Sequence, residues 1–432
     1  MKKILILSYY FPPCDLAASQ RAYSWYSNLH KHGYYPVIVT RKWERPIVDY
    51  RDIHYPTSKD IEIEKSAHGE IHRLPFVPGW RDSLMISKRQ STLKGALRRF
   101  LTLGHELLER YSSSIVPFNN LYQHARSLLR SDDDFYTIIV TVNPFILLKF
   151  GHQLSKEFNI PWLADYRDDW TTSDWKGDKN PTEEVFNALN RSSEKKWSSS
   201  ASAISTVSEH YANKLSNFTG RPAHVIYNGF NESELQPSQP TSKPSDKFTI
   251  FYNGSLYERQ NIFEFLAVYK RVVDKIGSRY KFNLLFQGLN YLPAQSQKVN
   301  SAMQGYEAFC ETSERIDRES LLKLQNSCQL LLLIGYRGIK GMISTKVFEY
   351  LASGKRILFY SSENREISDI LTDTGTGLIC QNDDELEQTL IELITLYFED
   401  PSKYNEFQGS NLTQYTRENR TTQLARVLDG LQ

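Results

Sequence analysis

The stretch LLLLIGYRGIKGMISTKVFEYLASGKRILFY, residues 330–360, decides the fold class. Five uninterrupted apolar residues, Leu330 to Ile334, predict a strand buried on both faces. A loop with glycines at 335, 338 and 341 follows, and Ser344 is a natural N-cap for a helix running from Thr345 to Ser353. Gly354 closes that helix, and RILFY (356–360) starts the next buried strand. Strand, loop, helix and strand at this spacing imply an α/β fold with a parallel sheet, because a parallel return needs a crossover. A ligand crevice in such a sheet lies beyond the carboxyl ends of its strands, where this loop sits.

Lys346 falls in the first turn of the predicted helix. The helix dipole disfavours a cation there by about 0.3–1 kcal/mol, so a lysine makes sense if an anion sits above it. The amides of Ser344, Thr345 and Lys346 are expected to face the same anion. A phosphate clamped by Lys346 is the physical expectation. Glu349 shares the face of Lys346 and has the acceptor oxygens to hold ribose hydroxyls. The alternative is a plain i,i+3 lysine–glutamate pair on an exposed helix.

The alternation continues on either side. FTIFYN (248–253) and NLLFQ (283–287) read as further strands of the same half. Before them, QPSQPTSKPSDK (236–247) has three prolines and no apolar residue, the composition of a linker. An earlier series precedes the linker: KILILSYY (3–10), a helix over 18–32 closed by Gly33, PVIVT (36–40), TIIVTV (137–142), a helix over 144–156, PWLADY (161–166), Ala203–Val207 and His224–Tyr227. The expected organisation is therefore an N-terminal doubly wound domain over 1–235, a linker over 236–247, and a second doubly wound domain over 248–400. A C-terminal helix within 401–432 is expected to cross back to the first half.

Composition narrows the function. The 432 residues carry 52 basic and 50 acidic side chains, with 40% apolar residues, which excludes global disorder and argues against a dedicated nucleic-acid binder. Tyrosine is abundant at 26, which suits carbohydrate contact. Cys14, Cys310, Cys328 and Cys380 show no metal or disulfide spacing, so a reducing cytoplasm is the natural compartment. No stretch approaches the roughly 20 apolar residues of a membrane span. Residues 88–130 form an insertion with eight basic side chains against Glu106 and Glu109. Leu93, Leu97, Phe100, Leu101, Leu107 and Leu108 recur through it at helical spacing, so it reads either as a surface for an anionic bilayer or as an ordinary solvated helix. The ten histidines form no metal constellation, and His105 and His124 read as solvated. In the first half, Arg21 follows the loop after the first strand, while Arg167 and Asp168 end another strand at its carboxyl side. Arg21 is expected either to contact a ligand or to lie exposed. Asp165, Arg167 and Asp168 could alternatively be one ion network that fixes the loop.

The string S-T-K-V-F-E-Y-L-A-S-G-K-R-I-L (344–358) resembles the donor-binding segment of retaining GT-B glycosyltransferases of family 4, with its P-S-K-[LIV]-F-E-Y-L-A-[AS]-G-[KR]-P-[IV]-L pattern. The resemblance covers most of the chain. LSYYFPPCDLAASQRAYSWYSNLHKHGYYPVIVT (7–40), LADYRDDW (163–170), TVSEHY (206–211), VIYNGF (225–230) and FYNGSLYERQN (251–261) look like further segments of that family in the same order. What the resemblance implies is two Rossmann-like domains facing each other across a cleft. A sugar would pass from a nucleotide-sugar to an acceptor hydroxyl with retention, without a metal or a cofactor. By the same resemblance Glu349 holds the ribose, while Lys346, Ser344, Thr345, Gly254, Ser255 and Arg259 surround the diphosphate. Arg167 and Asp168 would serve the acceptor side of the reaction, and Arg21 would contact the acceptor or a phosphate. Enzymes of this type often build bacterial surface polysaccharide or glycolipid on lipid-linked acceptors at the inner face of the cytoplasmic membrane. Two departures stand out: the family's first glutamate falls at Gly341, and the arginine of its basic pair falls at Ser255. The gap at Gly341 keeps open a catalytically silent binding protein of the same fold; a sugar-nucleotide epimerase of that fold is the other alternative.

Overall fold

In the computed structural model of the chain, Leu330–Ile334 and Ile357–Tyr360 are neighbouring parallel strands, and the helix Thr345–Leu351 lies between them in sequence. The structure describes residues 1–45, 47, 50–86, 101–102, 104–105, 107–174, 181–235, 245–257, 259–360 and 363–431. Residues 88–100 of the basic insertion and 236–244 of the expected linker lie outside them.

The described strands, in chain order, are β1 (Lys2–Ser8), β2 (Tyr34–Arg41), β3 (Glu62–Ser66), β4 (Gly69–Leu74), β5 (Phe135–Val142), β6 (Trp162–Tyr166), β7 (Ala203–Thr206), β8 (Ala223–Val225), β9 (Phe248–Asn253), β10 (Phe282–Gln287), β11 (Cys310–Thr312), β12 (Leu330–Ile334), β13 (Ile357–Tyr360) and β14 (Gly377–Cys380). They make two sheets, ordered β3-β4-β2-β1-β5-β6-β7-β8 and β11-β10-β9-β12-β13-β14. The second sheet is parallel throughout, and in the first only the β3–β4 hairpin is antiparallel. Central strands have no solvent face, so Ile4, Leu5, Ile6 and Leu7 in β1 and Leu330, Leu331 and Leu332 in β12 are all 0% exposed.

The chain forms two compact units, Met1–Tyr227 with Glu418–Gln432, and Asn228–Arg417. In the first, Leu424, Ala425 and Leu428 of the helix Arg417–Asp429 are buried with Trp25 and Leu29, and Tyr34 Oη donates to Asp429 Oδ1 at 2.7 Å. Each sheet has one point where the winding reverses. In the first it falls between β1 and β5, whose carboxyl ends are tied by Thr141 Oγ1 donating to Ser8 Oγ at 2.9 Å. In the second it falls between β9 and β12. These are the places where a doubly wound sheet offers a crevice. Among the described residues no helix is long and apolar enough to cross a membrane.

Candidate active site

The second unit's reversal point is walled by the loops after β9 and β12, and those loops are stitched together. Gln260 and Tyr336 form an isolated antiparallel bridge, and the amide of Arg337 donates to the carbonyl of Arg259 at 2.9 Å. Gln260 is the knot: its Nε2 donates to Ile334 O at 3.1 Å, while its Oε1 accepts from Tyr252 Oη at 3.2 Å and from the Tyr257 amide at 2.8 Å. The turn at Gly254 has φ +84°, a left-handed conformation that glycine adopts without a side-chain penalty. A Cβ there would meet Lys346 Cε at 3.6 Å and Nζ at 3.8 Å, so the lysine lies directly against the turn.

Lys346 is half-buried, and its ammonium stands 5.3 Å from the ring centre of Tyr252 and 5.8 Å from that of Tyr257. No carboxylate among the described residues lies within ion-pair distance of it. Desolvation lowers its pKa below the ordinary lysine value, against weaker opposing attraction from Tyr257 and Glu349. A desolvated cation attracts an opposite charge more strongly than a hydrated one. Of the three amides expected to face an anion, one is committed elsewhere. The Lys346 amide donates to the Ser344 side chain at 3.2 Å, since Ser344 is the N-cap, which leaves the amides of Ser344 and Thr345.

The simple lysine–glutamate pair is not what forms. Glu349 Oε1 lies 3.8 Å from Arg318 Nη1, and Arg318 Nη2 donates to Glu234 Oε1 at 2.6 Å. Burial alone would raise the Glu234 pKa, but the arginine's hydrogen bond and charge bring it below the usual carboxylate value. Arg318 went unread in the sequence, although it stands in the first turn of a helix (Arg318–Ser327) as Lys346 does, and the same dipole argument applies to it. Ser255 accepts a hydrogen bond from Tyr252 Oη at its carbonyl, at 2.9 Å. Arg337 is ion-paired with Glu264. Gly341 has φ +75°, so a glutamate at that position would be forced into a left-handed backbone, and the missing carboxylate is built into the loop's shape.

In the first unit the reversal point is a small hollow lined by Ser8, Tyr10, Thr141, Asn143, Asp165 and Arg167. Arg21 is 7% exposed and Asp165 0%, which overturns the expectation of an exposed Arg21. Its Nε and Nη2 grip Asp165 at 2.7–3.1 Å, and Nη1 donates to Ile226 O at 2.7 Å. Ser205 Oγ completes the pair by donating to Asp165 Oδ1 at 2.6 Å. With these donors committed, Arg21 fixes the floor of the hollow and has little left with which to contact an acceptor. The predicted three-residue ion network is also divided: Asp165 belongs to Arg21, and Arg167 bonds Asp168 instead. Arg167 Nε has no hydrogen-bond partner among the described residues, and the Asp168 side chain is 50% exposed.

His105 and His124 are not solvated. His105 is 3% exposed with its Nδ1 2.7 Å from Glu109 Oε1, and His124 Nε2 lies 2.9 Å from His72 Nδ1. The sequence treated residues 88–130 as one surface element, whereas its second part folds onto the sheet.

Comparison with solved structures places this architecture. Sucrose-phosphate synthase from Thermosynechococcus elongatus superposes over 100% of this chain and 99% of its own, at TM-score 0.64 and 15% identity. The fold is GT-B. An E. coli trehalose-6-phosphate structure bound with UDP-2-fluoro glucose matches GT-B over 99% of this chain and 98% of its own, at TM-score 0.62 and 12% identity. Anabaena HepE in complex with UDP and glucose matches over 100% of both chains, at TM-score 0.58 and 12% identity. No family model and no curated protein sequence matches this GT-B chain.

Proposed function

We propose that the chain is a glycosyltransferase that moves a sugar from a nucleoside-diphosphate sugar to an acceptor hydroxyl with retention. The observation that carries this reading is Lys346: a half-buried ammonium without a carboxylate partner among the described residues, set against the Gly254 turn at the reversal point of the second sheet. The donor then binds the second unit. Its diphosphate rests on Lys346, the Ser344 and Thr345 amides and the Gly254–Ser255 turn with Arg259 nearby, and Glu349, oriented by Arg318, accepts from the ribose hydroxyls. A uridine nucleotide is the first candidate, because two of the neighbours above are solved with UDP or UDP-2-fluoro glucose.

In the reaction, the bond from the anomeric carbon to the diphosphate oxygen breaks and its electron pair leaves with the diphosphate. The acceptor oxygen bonds to that carbon on the same face, and its proton passes to the departing phosphate oxygen. Lys346 stabilises the charge that grows on the leaving group, so the step asks for placement and electrostatics without a strong base or a metal. The acceptor belongs to the first unit, with Arg167 and Asp168 at its hydroxyl. A lipid-linked acceptor in bacterial surface polysaccharide or glycolipid synthesis extends this reading. Residues 88–130 would then touch the anionic inner face of the cytoplasmic membrane; Leu108 and Tyr111, within that insertion, are 59% and 86% exposed.

The test is release of free nucleoside diphosphate from a nucleotide-sugar panel by the purified chain, abolished by Glu349→Ala. The left-handed Gly341 favours one other reading, a GT-B protein that binds the nucleotide and transfers nothing. Nucleotide binding without release in any donor–acceptor combination supports that second reading.

A further inference from the structure

A further cavity of the first unit adjoins the hollow that holds Arg167. It is about 420 Å³, within the roughly 300–1,000 Å³ range of small-molecule sites. It opens beside the carboxyl ends of β1, β5 and β6 and shares Tyr10 and Asn143 with the hollow that holds Arg167. Its far wall comes from Arg81 and Asp82 of the helix Trp80–Ile86 and from His105, Glu109 and Arg110 of the insertion.

Three features of the lining indicate its occupant. First, Phe145 and Trp170 lie parallel, ring centres 4.9 Å apart and 4° from coplanar, and Trp197 continues the stack at 6.4 Å and 19°. Trp170 is the middle ring, so the open end of the stack is Phe145, which is half-buried. Aromatic faces of this kind pack against the C–H faces of sugar rings.

Second, the polar groups are held in fixed pairs. His54 Nδ1 lies 2.7 Å from Asp82 Oδ1, and His105 Nδ1 lies 2.7 Å from Glu109 Oε1. Arg110 Nη2 donates to Asn190 Oδ1 at 2.6 Å. The Asp82 carboxylate sets the orientation of the His54 ring before any ligand arrives. Among the described lining residues, two guanidiniums balance two carboxylates, so the cavity lacks the cation excess that a phosphate would demand. An alkyl chain fits no better, because it would strip water from these polar groups and give nothing back.

Third, Asn143 sits at the junction with the Arg167 hollow with φ +95°, a conformation rarely held by a non-glycine residue and often found at functional positions. Its carboxamide has no hydrogen-bond partner among the described residues.

We propose that this cavity is the acceptor subsite for an uncharged saccharide ring, stacked on Phe145, which Trp170 backs, and held through its hydroxyls by Asn143, His54, Asp82 and Glu109. The word acceptor rests on the glycosyltransferase reading; the saccharide site does not. The ring's reacting hydroxyl then emerges beside Asn143, next to Arg167.

The experiment uses the full chain, saturation-transfer NMR and tryptophan fluorescence. The probes are the methyl glycosides of glucose, galactose, mannose, rhamnose and N-acetylglucosamine, each with and without UDP, and n-decyl phosphate as an apolar and anionic control. At least one glycoside should bind saturably. Trp170→Leu should weaken it by about tenfold or more by removing the ring that backs Phe145. Asn143→Asp, which tolerates the same backbone, should weaken it by about tenfold by removing the amide donor. Both variants should retain UDP affinity, and Asn143→Asp the wild-type melting temperature. The proposal is overturned by binding of n-decyl phosphate with no glycoside, by no glycoside binding at all, or by glycoside affinity unchanged in both variants. UDP binding separates the two claims. UDP bound at wild-type strength with no glycoside removes only the subsite, whereas a Trp170-dependent glycoside site with no nucleotide binding removes the glycosyltransferase reading and leaves a saccharide-binding protein.

Discussion

Replacing Lys346 with methionine keeps much of the side chain's length and removes its charge. In the free protein the ammonium is desolvated, faces the Tyr252 and Tyr257 rings at 5.3 and 5.8 Å, and has no carboxylate partner among the described residues. Cation–π contacts of this kind return about 0.5–1 kcal/mol at exposed sites and more when desolvated, which offsets part of the desolvation cost. Methionine in the same place keeps the ring contacts through its thioether and carries no charge to desolvate. The free variant should therefore melt at the wild-type temperature or above it. Nucleotide binding should move the other way. A hydrogen bond from a charged donor to phosphate is worth about 1.5–3 kcal/mol, so the Kd for UDP should rise roughly 10- to 150-fold. Calorimetric titration gives the affinity and a melting scan of the free variant gives the stability. A drop of several degrees with unchanged affinity would make Lys346 an ordinary structural residue and refute the reasoning.

The lowered lysine pKa gives a pH signature. Bound diphosphate favours the charged ammonium and raises that pKa. Above about pH 7, where the phosphate is fully ionised, UDP affinity should hold and then fall as pH rises through the free lysine's lowered pKa, and the fall should vanish in Lys346→Met. The free protein's stability should rise over the interval between that folded value and the ordinary lysine value, because there the unfolded chain binds more protons; a flat profile contradicts the assignment. Arg21→Ala strands the fully buried Asp165 and should cost about 3–5 kcal/mol, on the order of 10 °C in Tm. The double change Arg21→Met with Asp165→Leu should recover most of that loss, and a single variant of unaltered Tm would show the pair is not structural. Arg167→Ala should lower kcat of transfer by tenfold or more, as loss of a charged positioning group does, with UDP affinity unchanged; equal loss in both would misplace the residue.

The legible parts of this chain were those governed by local rules. Buried central strands such as Leu330–Ile334 are apolar runs between glycine loops, and they lie where periodicity placed them. Edges were harder to read. β3 is EIEKS with every residue exposed, and β11 is only three residues long, so neither carries a hydrophobic signal. Within the site, Lys346 could be picked out because its position contradicts the helix dipole. Arg318 broke the same rule and passed unnoticed, since its partners Glu234 and Glu349 are 84 and 31 positions away in sequence. Arg21 was misjudged for a related reason: Asp165 is 144 residues away, and only the sheet order brings β6 beside the first helix. The insertion's charge count suggested a solvated face, while a contact that ties its second part inward, His124 Nε2 against His72 Nδ1, spans 52 positions and no local spacing records it.

The central claim is that the diphosphate of a nucleotide-sugar occupies the turn at Gly254 beside Lys346. A crystal structure of the chain with UDP tests it most directly. The account predicts phosphate oxygens within hydrogen-bond reach of Lys346 Nζ and ribose hydroxyls on Glu349; UDP bound elsewhere, with that turn vacant, would contradict it.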